Sequence, residues 1–156
     1  MQTTSRATRI CMLEDLNPGL KAVLKAHVAR YQLDAGESDI IMCCETTSIR
    51  QKNRWFGATK DITYSAATMT PKWLVWTDHT AHRIAPAGSA QIKYINVQDY
   101  ETTAMYIIAV GHGLNVTGRD ADRNKTGMTF IVLGPDPDGR KFHQVLDEAI
   151  KKAVSQ

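Results

Sequence analysis

No apolar stretch in this chain is long enough to cross a bilayer as a helix. The longest uninterrupted runs, such as Met105 to Val110, fall far short of the roughly 20 residues that such a span needs. Residues 1–10, MQTTSRATRI, hold two arginines but neither an apolar h-region nor a small-residue cleavage site, so no secretory signal is read there and a cytoplasmic location is expected. Cysteine is scarce. Cys11, Cys43 and Cys44 are odd in number, and the neighbours Cys43 and Cys44 point to opposite faces if they sit in a strand, so reduced, packed thiols are expected. A large excess of either charge is also missing. The formal net charge is +3, which neither demands nor excludes nucleic acid or an anionic surface. Repeats, linkers and low-complexity tracts are absent too, and 43% apolar with 22% charged residues in a chain of 156 fits one folded domain.

What is present is a succession of short β-rich segments between two amphipathic helices. After a polar leader, Asn17-Pro18-Gly19 opens the first helix: Asn17 can cap free N–H groups, and Pro18 lacks the donor that a first helical position would waste. Leu20, Val23, Leu24, Val28 and Tyr31 form its stripe, and Gly36 marks its exit. Residues 38–50 are rich in β-branched residues and lack Gly and Pro, which favours a strand; residues 61–69 alternate weakly and pair back on it, with Pro71 bending or ending that strand. The organising stretch is Thr70 to Glu101. It reads as two short strands meeting at Thr77-Asp78-His79-Thr80, the second covering His82 to Ala85, a Pro-Gly turn at Pro86 to Ser89, and a third strand from Gln91 to Val97.

Further strands are expected at 103–110, 114–118 and 126–133, with a tight Gly111-His112-Gly113 turn and an exposed charged loop over 119–125. Gly134-Pro-Asp-Pro-Asp-Gly139 then starts a helix whose apolar stripe is Phe142, Val145, Leu146, Ala149, Ile150 and Ala153. The pattern predicts an α+β domain of roughly seven antiparallel strands in a bent sheet or open barrel, its mouth plugged by the last helix. Residues 1–35 supply a leader and a helix packed on a domain over 36–156.

Several short motifs resemble bacterial pleckstrin-homology-like domains of the small stand-alone kind. They are Leu33-x-x-Gly36-Glu37; Trp73-Leu-Val-Trp76-Thr77-Asp78 followed by Arg83; Ile92-x-Tyr94-x-x-Val97-x-Asp99-Tyr100-Glu101; and Phe130 to Leu133 with Lys141-Phe142, Leu146 and Ile150. The resemblance covers about residues 33–152. Thr80-Ala81-His82 departs from the family's usual Lys-Arg-Leu, and residues 61–71 have no clear counterpart. The resemblance implies a seven-stranded barrel of two bent sheets, capped by the C-terminal helix and serving as a binding or assembly scaffold, not an enzyme.

The strongest local charge bias lies in residues 50–60, where Arg50, Lys52, Arg54 and Lys60 occur without an acid. Arg50, Lys52 and Arg54 alternate, so an extended backbone sets them on one side, and Trp55 and Phe56 follow. Guanidinium groups suit bidentate contact with phosphate, and the aromatics suit a headgroup boundary. In eukaryotic relatives of the resembled family the first hairpin holds phosphoinositides with a Lys and then a Lys/Arg-x-Arg; Lys52-Asn53-Arg54 matches only the second half. The bland alternative is a solvated hairpin with Trp55 and Phe56 folded back on the barrel. A track for nucleic acid is disfavoured by the small net charge and by Asp120 and Asp122.

His79 and His82 are spaced to point apart in a strand, so no metal is expected, and no glycine loop opens a helix, so no cofactor is expected. The expected partners are a protein or peptide added at a strand edge, an acidic lipid headgroup, or a second copy in a self-assembling scaffold. A cysteine enzyme using Cys43 or Cys44 with His112 or His143 is the remaining, weakest reading.

Overall fold

The computed structural model describes residues 2–55, 57–80, 83–99, 112–119 and 126–156. In chain order the elements are β1 (Gln2–Ile10), α1 (Pro18–Arg30), β2 (Met42–Arg54), β3 (Gly57–Met69), β4 (Trp73–Thr80), β5 (Arg83–Ile84), β6 (Gly88–Gln91), β7 (Asn96–Asp99), β8 (Gly113–Arg119), β9 (Thr126–Val132) and α2 (Pro137–Val154). One sheet has the order β1-β2-β3-β4-β5, with β6 also pairing β4, and the other has the order β7-β8-β9. All pairings are antiparallel. No helix among the described residues is long and apolar enough to cross a membrane.

The larger sheet lies between two apolar layers. On its outer face α1 packs Leu20 and Leu24 against Cys43, Ala66 and Val75. On its inner face Cys44, Ala67, Met69 and Leu74 meet Leu114, Val116 and Ile131 of the second sheet, and Phe142 and Leu146 of α2. Neighbouring Cys43 and Cys44 therefore enter different cores, as the alternation of strand side chains requires.

Both helices begin as their sequences indicate. The Asn17 side chain accepts the Gly19 N–H at 3.0 Å, and Pro18 occupies the first turn. Asp136 caps α2 by accepting the Gly139 N–H at 2.8 Å. The first helix ends earlier than Gly36: Tyr31 is its C-cap and Gln32 takes the left-handed conformation, with φ 50°.

The leader is the largest correction. Residues 2–10 are an edge strand paired with β2 along their whole length, from Gln2 opposite Lys52 to Ile10 opposite Cys44. The outer edge of β1 is covered by the start of α2: Asp136 accepts the Thr8 N–H at 2.7 Å and Asp138 accepts the Ile10 N–H at 2.9 Å. The Gly134-Pro-Asp-Pro-Asp-Gly139 segment thus both starts a helix and satisfies two donors of an exposed strand edge.

The organising stretch also differs in detail. β4 continues through Thr77-Asp78-His79-Thr80, and its reversal comes after Thr80. Gly88 and Ser89 belong to a strand, while Ile92–Tyr94 form a 3-10 turn between β6 and β7. The two sheets of the described residues are not closed into a barrel by strand pairing, and they hold six and three strands, not about seven. The strand expected at 103–110, residue Gly111 of the tight turn and most of the 119–125 loop lie outside the described residues.

Candidate functional site

Register alone sorts the inner face of the large sheet into rows of changing chemistry. Ile10, Cys44, Ala67 and Trp76 share one row, and Thr8, Thr46, Ser65 and Asp78 the next. Arg6, Ser48, Thr63 and Thr80 follow, and then Thr4, Arg50 and Asp61. The apolar row can be covered by the second sheet and α2 at no polar cost. The last two rows carry groups that are expensive to bury without partners, so there the layers part and leave an opening.

The transition is sealed by hydrogen bonds. Thr8 and Thr46 share a hydroxyl contact of 2.7 Å, and the Gly134 N–H donates to Thr8 Oγ1 at 2.8 Å. Arg6 marks the boundary: its guanidinium donates to the His112 carbonyl at 2.7 Å and sits 5.5 Å from the centre of the Phe130 ring. Beyond it a cleft of about 510 Å³ opens, lined by Thr4, Arg6, Ser48, Arg50, Lys60, Asp61, Thr63 and Thr80 among others. Its size falls within the range common for small-ligand sites. Three cations, one acid and four hydroxyls make its polar wall. The Ser48 hydroxyl is buried and has no hydrogen-bond partner among the described residues.

Of the residues expected to bind an anion, Arg50 lines this cleft from the inner face; Lys60 also borders it, although it pairs with Gln51 and so belongs by alternation to the other face of β3. Lys52 is half-buried two positions along β2, on the same side as Arg50. The Arg54 backbone pairs with Gly57; its side chain, and the whole of Phe56, lie outside what the structure describes. Trp55 is 99% exposed where the hairpin reverses, so it does not fold back on the domain. A two-residue hairpin connection ordinarily favours Asn, Asp or Gly, so turn geometry gives no reason for a tryptophan there.

Arg6 is the site residue that sequence reasoning missed. It shares with Arg9 a polar segment too sparse in cations to mark a site by itself, and only pairing of β1 with β2 brings it beside Ser48 and Arg50. The alternation Thr4, Arg6, Thr8, Ile10 on β-branched-rich sequence is the signal that could have found it.

The thiol-enzyme reading finds little geometry. Cys43 and Cys44 are 2% and 1% exposed. Burial pushes both thiols well above the usual range, which suppresses the nucleophilic thiolate. His143 faces carboxylates with both ring nitrogens, Asp99 and Asp147 each at 3.2 Å. We expect iodoacetamide to label Cys11 in the folded protein at neutral pH and to leave Cys43 and Cys44 unmodified until denaturant is added; peptide mapping checks this, and labelling of either buried thiol in the folded state would restore the enzyme reading.

His79 lies on the outer face beneath Gly19 at the start of α1, while His82 lies outside the described residues. No group of three or more His, Cys, Asp or Glu suited to a metal ion occurs among the described residues. Comparison of the chain with protein-family models, with curated proteins and with solved structures finds no match.

Proposed function

We propose that this protein is a non-catalytic binding module of pleckstrin-homology-like type that takes an acidic headgroup in the cleft of Arg6, Arg50 and Lys60. The observation that carries this reading is that Arg6 and Arg50, from adjacent strands, share one hydroxyl-lined opening that Lys60 borders, beside a hairpin tip that bears the exposed Trp55. Guanidinium groups offer paired donors to phosphate oxygens, Lys60 adds a point charge, and hydroxyls complete the donor set. Trp55 and Lys52 extend the same hairpin toward a surface, where an indole suits the boundary between headgroups and acyl chains. Two antiparallel sheets with a C-terminal helix are what the described residues share with the fold that the resemblance implies, although strand pairing does not close them into a barrel. Capture of a peptide by strand addition is less favoured on β1, because the Thr8 and Ile10 donors of its outer edge are already engaged.

The test is sedimentation with vesicles of neutral lipid alone and of neutral lipid with phosphatidylserine or phosphoinositide, at low and physiological salt. Binding to the acidic vesicles is expected, weaker at higher salt because exposed charges are screened over about 8 Å at physiological ionic strength. Arg50→Ala/Lys60→Ala is expected to weaken it about 30-fold, on about 1 kcal/mol per cation near an anionic surface. Circular dichroism verifies that the variant folds. Absence of binding at both salts, or binding that the folded double variant retains in full, overturns the reading.

A further inference from the structure

We propose that Cys11 and Cys43 form a reversible intramolecular disulfide, driven by a small disulfide such as glutathione disulfide, that staples the α1-bearing excursion to the sheet. This pair lies on the outer face and at the other end of the sheet from the anion cleft, and it is independent of the headgroup reading.

The geometry comes from the ladder. Ile10 lies opposite Cys44, so the next positions along the two strands are Cys11 and Cys43, and the Cys11 N–H donates to the Cys43 carbonyl at 3.1 Å. Directly opposed residues of a hydrogen-bonded antiparallel pair stand about 5.5 Å apart at Cα, within the range that disulfides span. Both side chains enter the same outer core, Cys11 packing against the cluster that contains Cys43. Cys11 is one residue beyond the last residue of β1, where the chain leaves the ladder and can adjust its Cβ. Cys44, adjacent in sequence, enters the opposite core and cannot compete.

Access orders the steps. Cys11 is half-buried and Cys43 buried. Burial pushes the Cys11 thiol up, with the neighbouring Arg9 charge opposing it, and pushes the more deeply buried Cys43 up further, so Cys11 is the more readily ionised of the two but reacts slowly. The Cys11 thiolate attacks one sulfur of glutathione disulfide, forming a mixed disulfide and releasing one glutathione thiolate. Cys43 then loses its proton and attacks the Cys11 sulfur, releasing the second glutathione. Two protein thiols are oxidised and one glutathione disulfide is reduced to two thiols. The closed loop holds residues 12–42, and with them all of α1, so the product tethers the helix that covers the outer core.

The experiment treats the full chain with glutathione disulfide at a pH of about 8.5, where thiolates are more abundant, and follows intact mass and non-reducing peptide maps. The expected product is a single Cys11–Cys43 bridge with the loss of two hydrogens, reversed by dithiothreitol. Cys43→Ser is expected to stop at a glutathione adduct on Cys11, Cys11→Ser to give no bridge, and Cys44→Ser to behave as the parent. The bridged form is expected to melt about 10 °C higher, from the entropy of closing a loop of this length. A bridge involving Cys44, a parent protein that stops at the adduct, no bridge under conditions that oxidise the urea-denatured chain, or a bridged form that melts no higher overturns the proposal.

Discussion

Replacing Gly139 by alanine is expected to lower the unfolding free energy by about 4 kcal/mol, combining overpacking with loss of buried hydrogen bonds. Helix propensity alone predicts the opposite sign, since alanine in a helix is favoured over glycine by about 1 kcal/mol. The contact geometry decides against propensity: a Cβ at this position would stand 2.1 Å from the Gly134 carbonyl oxygen, a backbone atom that cannot swing aside. To make room, the Gly134–Gly139 turn must open. That turn holds the Asp136 carboxylate on both Gly139 and Thr8, and the Gly134 N–H on Thr8 Oγ1. One methyl group therefore disturbs the helix cap, the covered edge of β1 and the hydroxyl seal above the cleft together. Urea denaturation checks it, as a fall in midpoint at unchanged slope. Gly127→Ala is the control, because a Cβ there meets nothing within 4 Å, and it is expected to leave the midpoint nearly unmoved. A Gly139→Ala protein as stable as the parent would show that the turn is not close-packed against the helix.

Phe142→Ala is expected to cost about 4 kcal/mol and to lower Tm by about 10 °C, the usual scale for emptying a buried phenylalanine site in a domain of this size. Phe142 is 0% exposed and belongs to the core that joins both sheets to α2. Neighbouring side chains come from three layers, each fixed by its own hydrogen-bond ladder or helix, so the space cannot readily collapse. Lys141→Ala, one residue earlier on the exposed side, is expected to change stability by less than about 0.5 kcal/mol. Differential scanning calorimetry on the two variants separates helix propensity from core packing. Equal, small effects would mean that α2 contributes little to the core.

Several elements were legible because one local signal sufficed. Asn17-Pro18 and Asp136-Pro137 place the starts of both helices, as a cap residue followed by proline does in general. The stripe of α2 is amphipathic enough that its buried residues, Phe142 and Leu146, lie among those expected. The return of the chain on β2 was legible from β-branched content and alternation, although the hairpin is longer than expected, since β3 begins at Gly57. Arg50 and Lys60 were singled out from charge bias, and both border the cleft.

The misreadings have a common cause. β1 carries threonines, a serine and arginines because much of the inner face it borders is itself polar, so its strand character has no apolar face to announce it. Gly88 and Ser89 look like turn residues and yet pair in β6 opposite Trp76 and Val75, where Ser89 is fully buried and its hydroxyl meets His27 Nε2 at 2.8 Å. A turn signal is overridden when tertiary partners satisfy the same polar groups. His27 itself, buried on α1, was outside the apolar stripe for the same reason.

Local chemistry thus dictated where the helices start, which hairpin carries the cations and which side chains of α2 are buried, because capping, charge alternation and periodicity act within a few residues. Only tertiary packing decided that residues 2–10 join the sheet, that its two faces receive different covers, and that Arg6 and Arg50 line one cleft. Those outcomes depend on register between segments 34 to 50 residues apart, and pairing over such distances is set by the free energy of the whole ladder and the cores on either side of it, not by the preferences of any one segment.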